Sequence, residues 1–71
     1  MSQTEYVVIL EQGDTSVGAY VPDLPGCVAV AETRDEAMQL IRDAIELHIE
    51  SLRESGEPVP PPHSYVEKVA V

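Results

Sequence analysis

Apolar positions fall into five clusters along the chain, and their spacing changes twice. Between Thr4 and Glu11, Tyr6, Val7, Val8, Ile9 and Leu10 form an aromatic and β-branched run between polar ends, which predicts a strand. In an extended chain Tyr6, Val8 and Leu10 point one way and Val7 and Ile9 the other, so both faces are apolar, as in an interior strand covered on both sides. Gln12, Gly13 and Asp14 signal a hairpin. Ser16 to Val21 then predicts a second strand, with Val17, Ala19 and Val21 opposite Gly18 and Tyr20, and with Gly18 at a bulge or close packing contact. Pro22, Asp23, Leu24, Pro25 and Gly26 cannot continue a ladder, because each proline lacks an amide donor, and Pro25-Gly26 suits the centre of a type II turn. Cys27 to Glu32 follows as a third strand, with side chains small enough for a helix to lie close above it.

The period becomes helical after Thr33. Thr33, Arg34, Asp35, Glu36 reads as a capping box, in which the Thr33 hydroxyl and the Glu36 carboxylate each accept from an otherwise unpaired amide. Ala37, Leu40, Ile41, Ala44, Ile45, His48, Ile49 and Leu52 repeat as one apolar stripe, with most of the charges outside it. Gly56 suits the left-handed position past the helix end, and Pro58 prevents its continuation. Pro58 to Pro62 should be an extended, stiff connector, and Ser64 to Val71 a fourth strand carrying Tyr65, Val66, Val69, Ala70 and Val71.

These elements predict an α+β fold of order βββαβ: a three-stranded antiparallel meander, one crossover helix, and a final strand parallel to strand 1, in spatial order 3-2-1-4. Strand 1 is then interior, and the helix covers only one sheet face. The uncovered apolar face implies burial in a homo-oligomer, a dimer or tetramer, or under another partner.

The chain has 71 residues, and a domain of that size removes only about 60% of its unfolded surface from water, so residues 1–71 are read as a single domain with a small core. Four basic residues against thirteen acidic ones leave a net charge of -9. Arg34, Arg42, Arg53 and Lys68 cannot form a basic footprint among so many carboxylates, so direct nucleic-acid binding is not expected, while a basic protein partner is attracted. Met1 to Glu5 has no signal-peptide pattern, the apolar run Tyr6 to Leu10 is far short of a membrane helix, and Cys27 stands alone; the expected compartment is the cytoplasm.

Candidate chemistry is sparse. His48, His63 and Cys27 lack metal-ligand spacing, and no cofactor or metal is expected. His48, on the apolar stripe, reads as a packed histidine with one hydrogen-bond partner, and Cys27 as a buried, inert thiol. The four glycines form neither glycine-rich phosphate-binding pattern. The predicted topology resembles the first part of the RNase H fold, whose two-metal enzymes carry an acid within the first strand; here positions 6 to 10 are all apolar, and Glu5 and Glu11 sit at the ends. Glu32, Asp35 and Glu36 are accounted for by helix capping and the helix dipole.

Pro22, Asp23, Leu24, Pro25, Gly26, Cys27 resembles the turn between the second and third strands of the HicB antitoxin family. The helix with Glu36, Ala37, Asp43 and Ala44, the exit through Gly56 and Pro58 to Pro62, and the opening Tyr6, Val7, Val8, Ile9 are similar too, so the resemblance covers nearly the whole chain. It implies a partial RNase H-like domain without RNase activity that binds and neutralises HicA, a small basic mRNA-cleaving toxin. Many family members carry a further DNA-binding module; this chain stops at Val71, and direct operator binding is not expected of it. Asp23, Leu24 and Pro25 are the expected partner contacts, on the reasoning that a leucine held between prolines projects rigidly from the surface. The competing readings are an oligomeric scaffold or small-ligand-binding module and a residual metal-dependent nuclease.

Overall fold

The computed structural model describes residues 4–71, which form β1 (Ile9–Gln12), β2 (Val17–Tyr20), β3 (Val28–Ala31) and α1 (Arg34–Glu54). The strands pair antiparallel in the order β1-β2-β3, with Leu10 opposite Ala19 and Ala19 opposite Ala29. The class is α+β, with the meander and helix where the hydrophobic pattern places them.

Two expectations about strands are corrected. β1 begins at Ile9 instead of Thr4, and it is an edge strand, with β2 at the centre. Ile9 pairs with Tyr20, the last residue of β2; beyond it the chain bends into the Pro22–Gly26 turn, so residues 4–8 meet no partner strand. The second correction concerns residues 64–71, which form no strand. The expected order 3-2-1-4 is realised only as 3-2-1, because the chain after the prolines is held at the β2–β3 turn, and Tyr65, Val66, Val69 and Val71 project into solvent.

Both turns follow from local chemistry. The Leu24 amide donates to the Val21 carbonyl at 3.1 Å, and the Cys27 amide donates to the Leu24 carbonyl at 3.0 Å. Pro25 and Gly26 thus sit at the centre of the second turn, where Gly26 has φ +87°, the left-handed value that a type II turn requires. At the helix start the Thr33 hydroxyl oxygen accepts the Glu36 amide at 3.1 Å, as expected. The Glu36 carboxylate accepts a hydrogen bond from the Thr33 hydroxyl, also at 3.1 Å, where the capping box predicts a backbone amide donor. At the far end Gly56 donates to the Arg53 carbonyl and Glu57 to the Leu52 carbonyl, with Gly56 at φ +73°: a Schellman motif that satisfies two terminal carbonyls.

The core lies between one sheet face and the first turns of α1. Val17, Ala19 and Val21 from β2 and its end, Leu24 and Cys27 from the turn, and Ala37 and Ile41 from the helix are buried. Tyr6, Val8 and Leu10 pack against them, as the alternation requires, and Ala29 and Ala31 keep β3 low enough for the helix to approach. The helix outruns this platform. Its 21 residues span about 31 Å, whereas four-residue strands span about 13 Å. Consequently His48, Ile49 and Leu52, which continue the apolar stripe, are only half-buried.

Burial decides what substitutions cost. Leu24→Ala or Ile41→Ala removes a fully enclosed side chain, and urea unfolding should show a loss of about 2–5 kcal/mol, much of the stability of so small a domain. Leu47 is 66% exposed, and Leu47→Ala should change the unfolding free energy by less than about 0.5 kcal/mol. Equal losses at Leu24 and Leu47 would contradict this core.

Candidate partner-binding surfaces

Of the three expected contact residues, the fold exposes one. Asp23 and Leu24 are buried, at 3% and 0% exposure, and only Pro25 faces solvent. The expectation of a projecting leucine is overturned, because the tight turns at Val21 and Leu24 roll that side chain inward to close the end of the core. Leu24 is a plug, and the turn presents Pro25 and Gly26 outward.

Asp23 instead organises the molecule. Its Oδ2 accepts the backbone amides of His63 at 2.9 Å and Ser64 at 3.1 Å, and its Oδ1 accepts the Ser64 hydroxyl at 2.6 Å. The His63 Nε2 lies 3.1 Å from Oδ1. One carboxylate therefore clamps a segment forty residues further along the chain. Just before it, the Pro60 carbonyl accepts a hydrogen bond from the Tyr6 hydroxyl, which ties the proline run to the start of the first apolar run. Nothing local marks Ser64 and His63 as partners of Asp23; the only hint in the sequence is the proline run, which fixes the route of the chain just before them.

The Ser64 hydroxyl, followed by the two backbone amides and His63, holds the Asp23 carboxyl below its usual range, against the opposing effect of burial. A carboxylate with a lowered folded pKa contributes stability that is present above its ordinary value near 3.8 and is lost as the pH falls through the lower folded value. The Cys27 thiol shifts the other way, raised by burial, as expected of an inert cysteine. His48 is half-buried and makes no side-chain hydrogen bond among the described residues, so the single partner expected of it is not formed.

Two broad surfaces remain. Every acidic residue except Asp23 is exposed, and no Lys or Arg forms an ion pair among the described residues, so the negative charge stands uncompensated. On the outer face of α1, Asp43, Glu46 and Glu50, with Arg53 at one end, line a shallow concavity around the exposed Leu47. The sheet face away from the helix carries Ile9, Tyr20 and Val28 in one row, and Val30 beside Gly18 in the next. Val28 and Val30 are about two-thirds exposed, so this apolar face lacks a cover in the single chain, as the pattern predicts. No group of three or more metal-ligating side chains comes together among the described residues, and no helix there is long and apolar enough to cross a membrane.

Hydrogen exchange tests the Asp23 clamp. The His63 and Ser64 amides should be protected at neutral pH. They should lose protection in Asp23→Ala, and also in the unaltered protein as the pH is lowered below about 3.8, before the core amides do. Unprotected amides at neutral pH would rule the clamp out.

The model of a family described as "HicB_like antitoxin of bacterial toxin-antitoxin system" matches residues 6–70. Among individual proteins, the UPF0150 protein ssr1765 of Synechocystis sp. is 40% identical over 67 residues, covering 93% of this chain and 85% of that protein. The UPF0150 protein Ta0767 of Thermoplasma acidophilum is 39% identical over 54 residues, 76% of this chain and 78% of its own length. An uncharacterized 14.9 kDa protein of Haemophilus phage HP1 is 36% identical over 55 residues, which are 78% of this chain and 41% of the phage protein. With the family match running from Tyr6 of the first apolar run to Ala70 of the tail, the chain belongs to the HicB-like antitoxin family of bacterial toxin-antitoxin systems.

Proposed function

We propose that this chain is the antitoxin of a type II pair, which works by binding, not by catalysis, and neutralises a small basic mRNA-cleaving toxin of the HicA type in the cytoplasm. The observation that carries the reading is the family match over residues 6–70. The charge supports it: a toxin that grips RNA needs a basic face, and a partner of net charge -9 with unpaired carboxylates is complementary to such a face.

On this reading the outer face of α1 is the principal contact. Asp43, Glu46 and Glu50 occupy the place of RNA phosphates on the toxin, and the exposed Leu47 supplies apolar area among them. The turn makes a smaller contribution. Pro25 is available for contact, and Asp23 and Leu24 support it from inside, the one by clamping the tail and the other by filling the core.

The test is an RNA-cleavage assay with the toxin encoded beside this chain. Equimolar protein should suppress cleavage, and raising the salt should slow association. Glu46→Lys with Glu50→Lys should reduce the association rate about tenfold or more at low ionic strength and leave the helical circular dichroism unchanged. Undiminished cleavage with equimolar protein present would overturn the proposal.

A further inference from the structure

Five of the six prolines are exposed, and the fold brings them to one end of the molecule. Pro22 and Pro25 flank the buried Asp23 and Leu24 in the β2–β3 turn, and Pro58, Pro61 and Pro62 belong to the connector behind α1. The Asp23 clamp joins the two sets, because it holds the amides of His63 and Ser64 against that turn. Stopping the helix does not require so many prolines. Gly56, at φ +73°, already reverses the chain, and Pro58 prevents renewed helix; the rings of Pro61 and Pro62 stay in solvent.

The prolines restrict the connector to an extended conformation. Each fixes its own φ, the residue before a proline is pressed out of the helical region, and no cis peptide bond occurs among the described residues. Residues 58–62 therefore form a polyproline II segment with about three residues per turn, in which residues three apart share an edge. The edge with Pro60 and His63 is the one tied down: the Pro60 carbonyl accepts from the Tyr6 hydroxyl, and the His63 amide donates to Asp23. Pro58 and Pro61 share a second edge, Val59 and Pro62 the third, and of these four only Val59 is half-buried. Exposed polyproline edges of this kind dock against aromatic side chains, at a low ordering cost because proline rings have no rotamers to lose.

This ridge continues the acidic face of α1. Asp43, Glu50 and Glu54 recur at helical spacing along that face, with Arg53 at its border, and Glu57 stands immediately before Pro58. A protein that grips unpaired RNA does so with two kinds of group, cations for the phosphates and aromatic faces for the bases. The carboxylates of α1 match only the first kind. Proline rings match the second, since they too pack flat on aromatic faces.

We infer that the ridge of Pro58, Pro61 and Pro62, with Pro25 of the clamped turn, is the second half of the toxin contact and covers aromatic side chains on which the toxin stacks RNA bases. The inference rests on the toxin reading and adds a partner chemistry to it: aromatic faces bordering a basic one. The two halves act on different steps of binding. Exposed carboxylates govern the rate of encounter and its salt dependence, whereas rings packed against a partner govern how long the complex lasts.

The experiment is binding kinetics of the full chain with the toxin encoded beside it, at two ionic strengths. Pro58→Ala with Pro61→Ala should raise the dissociation rate about tenfold and leave the association rate and its salt dependence within about twofold of the unaltered protein. Protected His63 and Ser64 amides in the double variant show that the clamp survives. If they lose protection, Pro25→Ala takes its place with the same direction expected, because Gly26 and the Leu24–Cys27 hydrogen bond keep that turn without a proline. In the unaltered complex the ring protons of Pro58 and Pro61 should move upfield, the ring-current mark of an aromatic face above them. A dissociation rate indifferent to these variants, or proline ring protons that keep their free-state shifts, overturns the ridge and leaves the toxin reading standing. No association at either ionic strength overturns both.

Discussion

A single carboxylate determines how the chain beyond the helix relates to the sheet. The three strands and the helix form a unit whose parts are neighbours in sequence, tied by hairpins, caps and side-chain packing. Past Gly56 the chain is proline-rich and leaves most of its apolar side chains in solvent, so its course depends on polar anchors. Asp23 supplies most of them, because both of its oxygens accept from residues 63 and 64 and the residue sits on a turn that two backbone hydrogen bonds already make rigid. A flexible acceptor would lose much of this effect to the entropy of ordering itself; a carboxylate on a preformed turn loses little.

The elements legible in the sequence are those whose signals are local. The hairpin at Gly13, the Pro25-Gly26 turn with Gly26 at positive φ, the Thr33 cap and the Gly56 stop each follow from one or a few residues, and each appears at its expected position. The alternation in the first apolar run also assigned Tyr6, Val8 and Leu10 to the core face. What failed were inferences about neighbours. An apolar run says that a segment avoids water without saying what covers it, so the run at Tyr6 to Leu10 predicts an interior strand although β1 is an edge in the single chain. The tail has the same strand-forming character, yet residues 64–71 enter no ladder.

Leu24 shows the limit for surface sites. A leucine flanked by prolines in a turn looks like a projection, because turns lie on the surface and prolines restrict them. Direction, however, is set by two consecutive hydrogen-bonded turns, at Val21 and at Leu24, and these rotate the leucine inward while Pro25 turns outward. The acidic face was easier to foresee. Thirteen carboxylates on a small domain with four basic residues must be mostly exposed and mostly unpaired, whatever the fold.

The mismatch in length between α1 and the sheet divides the molecule's cohesion unevenly. Ala37 and Ile41, the two enclosed helical residues, both lie in its first half; from Ile45 to Glu54 the helix relies on half-buried contacts and on the Schellman closure at Gly56. The distal turns can therefore fray without disturbing the sheet, opening at a small fraction of the free energy of global unfolding. The domain then behaves as a rigid head with a softer spur, and the carboxylates on that spur, Glu46, Glu50 and Glu54, are free to change their spacing, while those near the Thr33 cap are held in place.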